Sequence, residues 1–113
     1  MATLHQLPQR RAIGTIGDWF ARVDGERLPC VHRFWWENGR SPTYNDTELR
    51  SSPKADELFE AIKRLKRVIL TFHKGSEGVD ERGGYIAIYA VDDVEFGANG
   101  LRFKFKERLV DLF

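Results

Sequence analysis

An α+β domain, a strongly bent antiparallel sheet or small open β-barrel of five to six strands packed by one main helix, is the fold this sequence predicts. Three observations carry that expectation. An Asp24-Gly25 pair joins two alternating segments, one well-capped amphipathic helix follows a polar stretch, and three further segments of strand character complete the chain. With 113 residues, 42% of them hydrophobic and 31% charged, the chain has the size and balance of one globular domain and not of a disordered or collagen-like chain.

Met1 to Arg11 is polar, contains Pro8 and shows no period, so residues 1–12 read as a flexible N-terminal tail and 13–113 as a single domain. Residues 18–23 and 26–36 then form a hairpin. Asp24-Gly25 suits a two-residue turn that needs positive φ at both positions, which sets Val23 opposite Glu26, Ala21 opposite Leu28 and Trp19 opposite Cys30. One face carries Trp19, Ala21, Val23, Leu28, Cys30, His32, Phe34 and Trp36; the other carries Phe20, Arg22, Arg27, Pro29, Val31, Arg33 and Trp35. Pro29 cannot donate to a ladder and marks an edge or a bulge.

Glu37 to Ser52 is a sixteen-residue polar connection, of a length that marks a functional loop or a simply mobile one. The main helix is expected over 53–66. Ser52 caps it, Pro53 suits its first position, Asp56 and Glu57 favour the positive end of its dipole, and Ala55, Leu58, Phe59, Ile62 and Leu65 recur as one apolar stripe. Glu60 precedes Arg64 by four positions, a favourable pair. Strands follow near 68–73, 85–96 and 101–106, with a turn at or near Asn99-Gly100. The last strand alternates Leu101, Phe103 and Phe105 with Arg102, Lys104 and Lys106. That turn sets Glu95 opposite Lys104 and Asp93 opposite Lys106, which makes the basic ladder a compensated, structural one.

Composition bounds the function more than it reveals it. A net charge of +1 gives no bulk attraction for nucleic acid, so any such affinity must come from a local patch. The single cysteine, Cys30, excludes an intramolecular disulfide, and Cys30 with His32 at i, i+2 falls short of the three protein ligands a zinc site needs, so no metal and no cofactor are expected. The first twelve residues hold no signal-peptide core, and the longest apolar run, Tyr85–Val91, is seven residues where a spanning helix needs about 20. A cytoplasmic protein with no membrane attachment is the expectation.

The most suggestive constellation is the outer hairpin face, where Arg22, Arg27 and Arg33 interleave with Phe20 and Trp35. Arginines contact phosphates and aromatic rings stack on bases. Arg40, Tyr44 and Arg50 of the polar connection complete the candidate surface by folding over a ligand. The alternative is that this face packs on the helix or the tail with the arginines at its rim. Lys63, Arg64, Lys66 and Arg67 complement the negative end of the helix dipole. His73 ends a buried strand beside Glu77, Asp80 and Glu81, the ingredients of a general base or acid, but no nucleophile elbow or phosphate loop accompanies it.

A helix between two groups of strands, with Tyr85–Val91 as a central strand, resembles in general architecture the small pseudouridine-synthase-associated (PUA)-like barrels. The resemblance implies binding of RNA or modified bases and transfers no site residue, because no motif residue matches. The function expected is a non-catalytic module binding single-stranded or modified nucleic acid through the arginine and aromatic face. A protein-interaction domain, homodimerising or with a foreign partner, is the alternative, and a small enzyme built on His73 the second. Binding ranks above catalysis because no catalytic constellation is visible.

Overall fold

A computed structural model describes residues 7–14, 19–36, 42–71 and 84–112. Eight strands and one helix follow in the order β1 (Gln9–Arg10), β2 (Ala12–Gly14), β3 (Phe20–Val23), β4 (Glu26–His32), β5 (Thr43–Asp46), α1 (Pro53–Leu65), β6 (Arg67–Thr71), β7 (Tyr85–Gly97) and β8 (Gly100–Leu112). The sheet runs β1-β8-β7-β6-β4-β3-β2, with β5 also paired to β8. Only Arg11 separates β1 from β2, so the sheet begins and ends in one stretch of chain and forms a nearly closed, barrel-like wall.

The expected five to six strands become eight. Residues 9–14, assigned mostly to a tail, pair with β8 on one side and β3 on the other. Thr43–Asp46, assigned to a polar connection, lies antiparallel to Lys104–Leu101. The sheet is also mixed, not purely antiparallel: β4 and β6 run parallel, because α1 returns the chain between them as a crossover.

The first hairpin has the register its turn dictates. Asp24 and Gly25 have φ of 52° and 82°, and the pairs are Val23 with Glu26, Arg22 with Arg27, Ala21 with Leu28 and Phe20 with Pro29. The Cys30 amide donates to the Trp19 carbonyl at 2.9 Å. Pro29 sits in a non-hydrogen-bonded pair with its nitrogen turned away from β3, and the ladder to β6 starts only at Cys30, so no donor is missed. The second strand ends earlier than expected: after His32, Arg33–Trp35 form a 3₁₀ turn, and the alternation of faces stops there.

The helix starts where its cap requires. Ser52 Oγ accepts from the Ala55 amide at 3.1 Å, Pro53 occupies the first turn, and Lys66 closes the helix at φ 53° with its amide donating to the Ile62 carbonyl. Ala55, Leu58, Ala61 and Ile62 are its buried residues. No ion pair joins Glu60 to Arg64 among the described residues.

Strand β6 is buried on both faces, with Val68, Ile69 and Leu70 all at 1% exposure or less. Val68 and Leu70 join Phe20, Val31, Ala87, Tyr89 and Val91 in the layer beneath α1. Ile69 joins Ala21, Val23, Leu28, Ile88 and Leu112 in a second layer on the opposite face. The Arg67 guanidinium binds both Glu26 carboxylate oxygens and holds that carboxyl below its ordinary range.

The β7–β8 hairpin departs from the expected register. Its loop is Ala98-Asn99, one residue earlier, closed by the Gly97–Gly100 pair, and Gly100 takes φ 95°. A second irregularity, at Asp93 with φ 54°, shifts the ladder again. Glu95 therefore faces Arg102, and Asp92 faces Lys104. No helix of the described residues is long and apolar enough to cross a membrane.

Candidate nucleic-acid interface

The predicted arginine and aromatic face is divided by the fold. Phe20 is 3% exposed and belongs to the core beneath α1. The Arg27 guanidinium lies 3.6 Å from the centre of its ring and reaches Glu57 of the helix at 3.4 Å. Lys54, also on α1, stands 5.4 Å from the Trp19 ring centre. The hairpin face thus packs against the helix with Arg27 at its rim, so the Phe20 ring offers no open face to a base. Arg22 is exposed and donates to the Gly25 carbonyl at 3.2 Å. Arg33 is exposed and Trp35 half-buried in the 3₁₀ turn, beyond the alternation expected to align them with Arg22.

Tyr44, expected to close over a ligand, is 2% exposed. Its ring stacks on Phe103 with centroids 4.5 Å apart and an 8° tilt. Burial drives its phenol well above the ordinary range, Asp46 adds to the rise, and the His32 backbone N–H opposes it by donating to the phenol oxygen. Tyr44 is the anchor that ties polar β5 to the core. Arg40, His73, Glu77, Asp80 and Glu81 lie outside the described residues. His32 Nδ1 is 3.1 Å from Thr71 Oγ1, which donates to the Val31 carbonyl if the imidazole nitrogen does the donating in their own contact. No group of three or more His, Cys, Asp or Glu able to hold a metal occurs among the described residues.

Arg50 is the predicted residue that the fold places in a cavity. A hollow of about 560 Å³ opens where β5 and its following turn meet the tip of the β7–β8 hairpin, lined by Asn45, Thr47, Arg50, Glu95, Phe96, Arg102 and the loop 97–100. Its walls are held by short-range geometry. Asp46 Oδ1 accepts from the amides of Glu48 and Leu49 at 3.0 and 3.1 Å, which folds the chain back after β5. Arg50 Nη1 then donates to the carbonyls of Thr47 and Leu49 at 2.7 and 3.1 Å. Both Nη1 hydrogens are engaged, and the Nε and Nη2 donors remain for a ligand.

Part of the basic surface is neutralised by carboxylates and part is not; Arg22, Arg33, Lys63 and Arg64 share the lack of an ion pair with the two arginines of this cavity, among the described residues. Arg10, Arg27, Lys66, Arg67, Lys104, Lys106 and Arg108 each reach a carboxylate. Neither Arg50 nor Arg102 forms an ion pair with a described residue. Glu95, the carboxylate in the lining, faces Arg102 in the ladder without closing a salt bridge. The two lysines of the ladder are compensated by other partners than expected, Lys104 by Asp93 at 3.6 Å in place of Glu95 and Lys106 by Asp92 at 3.9 Å in place of Asp93, while Arg102, to which the sequence assigned no partner, pairs with no described carboxylate. The amide of Asp93, together with Lys66 and Lys106, keeps the Asp92 carboxyl below its ordinary range.

A second hollow of about 410 Å³ adjoins the first, lined by Ser51, Asp56, Phe59, Glu60, Phe96 and Gly97. Phe96 and Gly97 belong to both. Two guanidinium groups with the Glu95 carboxylate, then the Phe96 ring, then the Asp56 and Glu60 carboxylates thus follow one another along the gap between the hairpin tip and α1. No family model, curated protein or solved structure matches this chain.

Proposed function

We propose that the chain is a non-catalytic binding module for single-stranded nucleic acid, with the cavity of Arg50 and Arg102 receiving the phosphate. One observation carries the reading: both arginines face one hollow and neither is neutralised by a carboxylate among the described residues. Guanidinium groups match phosphate oxygens with paired donors. Asn45, Asn99 and Thr47 add neutral hydrogen-bonding groups suited to sugar and phosphate oxygens, and Phe96 supplies a ring beside them. Arg22 and Arg33, exposed and free of ion pairs with described residues, extend the basic surface without forming the hollow. The interaction-module alternative calls for an exposed apolar patch, whereas Ile13, 66% exposed, is the large apolar side chain exposed among the described residues.

The test is a fluorescence-anisotropy titration of a labelled single-stranded decamer at several salt concentrations, with duplex of the same sequence as competitor. Binding at low salt that weakens log-linearly with salt, and poor competition by duplex, is the expected result. No binding at low salt, or equal competition by duplex, contradicts it.

A further inference from the structure

Resting on that phosphate-binding reading, we infer that the second hollow selects guanine, its Glu60 carboxylate accepting from the base while Phe96 supports the ring. Chemistry follows one order along the gap. Arg50 and Arg102 stand at one end, Phe96 lines both hollows, and Ser51, Asp56, Phe59 and Glu60 line the other end. A nucleotide has the same order: an anionic phosphate, a sugar, and a flat base with a polar edge.

The aromatic floor has one ring to spare. Phe59 already carries Phe96 at 5.6 Å between centroids and the Lys63 ammonium at 5.7 Å, which fixes it as support. Phe96 is half-buried against Phe59 and keeps its border with both hollows. Stacking on a phenylalanine is tolerant of base identity, so any selection must come from the polar end.

That end is built of acceptors. Asp56 is oriented by Ser51, whose hydroxyl donates to its Oδ1 at 2.8 Å. Glu60 makes no ion pair or hydrogen bond with a described residue, and all its acceptor sites remain open. A carboxylate only accepts. Guanine alone among the common bases offers two adjacent donors on its Watson–Crick edge, the N1–H and the 2-amino group, which match two carboxylate oxygens side by side. Adenine and cytosine offer an amino group beside an acceptor that a carboxylate repels, and uracil offers one N–H between two carbonyls.

The experiment compares the pentaribonucleotides UUGUU and UUAUU, and the free nucleotides 5′-GMP, 5′-IMP and 5′-AMP, on wild-type protein and Glu60→Gln. UUGUU is expected to bind wild type about tenfold tighter than UUAUU, a ratio typical of one bidentate base contact. Glu60→Gln, at an exposed position with a melting curve to confirm folding, is expected to bring that ratio to about one or below, by weakening UUGUU and relieving the repulsion of adenine's acceptor. Discrimination by the strand alone identifies the source as nucleic acid. The same order among free nucleotides, with inosine weakened by loss of its 2-amino group, identifies a nucleotide; either result supports the inference. Equal binding of UUGUU and UUAUU by wild type overturns guanine selection and leaves the phosphate site standing. A preference that survives Glu60→Gln overturns the assignment to Glu60. No binding of any probe overturns the proposed function itself.

Discussion

Replacing Gly100 with alanine is expected to remove about 4 kcal/mol of stability. Two independent costs add at this position. The backbone stands at φ 95°, a region that side-chain-bearing residues enter at a cost of about 1–3 kcal/mol. An added Cβ would also fall 1.9 Å from the Asp46 carbonyl oxygen, 2.8 Å from its carbon and 2.9 Å from the Thr47 Cα. All three are backbone atoms of β5 or of the turn that follows it, so none can swing aside, and overpacking of this kind costs about 1–3 kcal/mol more. Two other glycines separate the contributions. Gly25 has φ 82° and no atom near its missing Cβ, so its alanine variant is expected to lose only about 1 kcal/mol. Gly97 has open space and an ordinary φ, and its variant should stay within about 0.5 kcal/mol of wild type. Urea unfolding of the three variants checks the series. Equal losses for Gly100→Ala and Gly25→Ala would show that β5 does not approach the hairpin this closely. Because Asp46 also sets the turn that carries Arg50, any Gly100→Ala protein that folds should bind single strands poorly.

Joint replacement of Arg50 and Arg102 by glutamine is expected to weaken single-strand binding about 100-fold at low salt. Each charge-assisted hydrogen bond lost contributes about 1.5 kcal/mol, and two bring the total near two decades. The salt dependence should fall in parallel: each phosphate contact on a single strand contributes about 0.7 to the log–log slope, so the double variant should lose about 1.4. Arg22→Gln with Arg33→Gln is the comparator, since it removes the same net charge from positions outside the hollow. It should weaken binding less than about threefold. Equal losses in both double variants would mean that net charge, and not the cavity, governs affinity.

The first hairpin and the helix were legible because local chemistry decides them. Positive φ at Asp24-Gly25 sets a two-residue turn, and Ser52-Pro53 sets a helix start, whatever the rest of the chain does. Strand β5 was not legible. Asn45 and Asp46 are poor strand formers, and the segment is held through pairing with β8 and the stack of Tyr44 on Phe103, contacts between residues far apart in sequence. The extension of β8 through Glu107–Leu112 was hidden by its charges, which pair locally, as in the 2.7 Å contact between Arg108 and Asp111. The β7–β8 register failed for a different reason: Asn99-Gly100 suits a two-residue turn, yet only Gly100 takes positive φ, and Asp93 absorbs a further residue. Arg50 was legible as a candidate. Arg102 was legible only as the member of its ladder without an assigned acidic partner, and Phe59, Phe96 and Glu60 read as helix stripe, strand and helix-surface charge with nothing to bring them together.

The most direct measurement is a map of amide chemical-shift changes as a short single strand is titrated into ¹⁵N-labelled protein. The account expects the changes to centre on Asn45, Thr47, Arg50 and the stretch Glu95 to Arg102, with smaller ones at Phe59 and Glu60. Changes centred on Arg22, Arg33 and Trp35, with the hairpin tip silent, would contradict it.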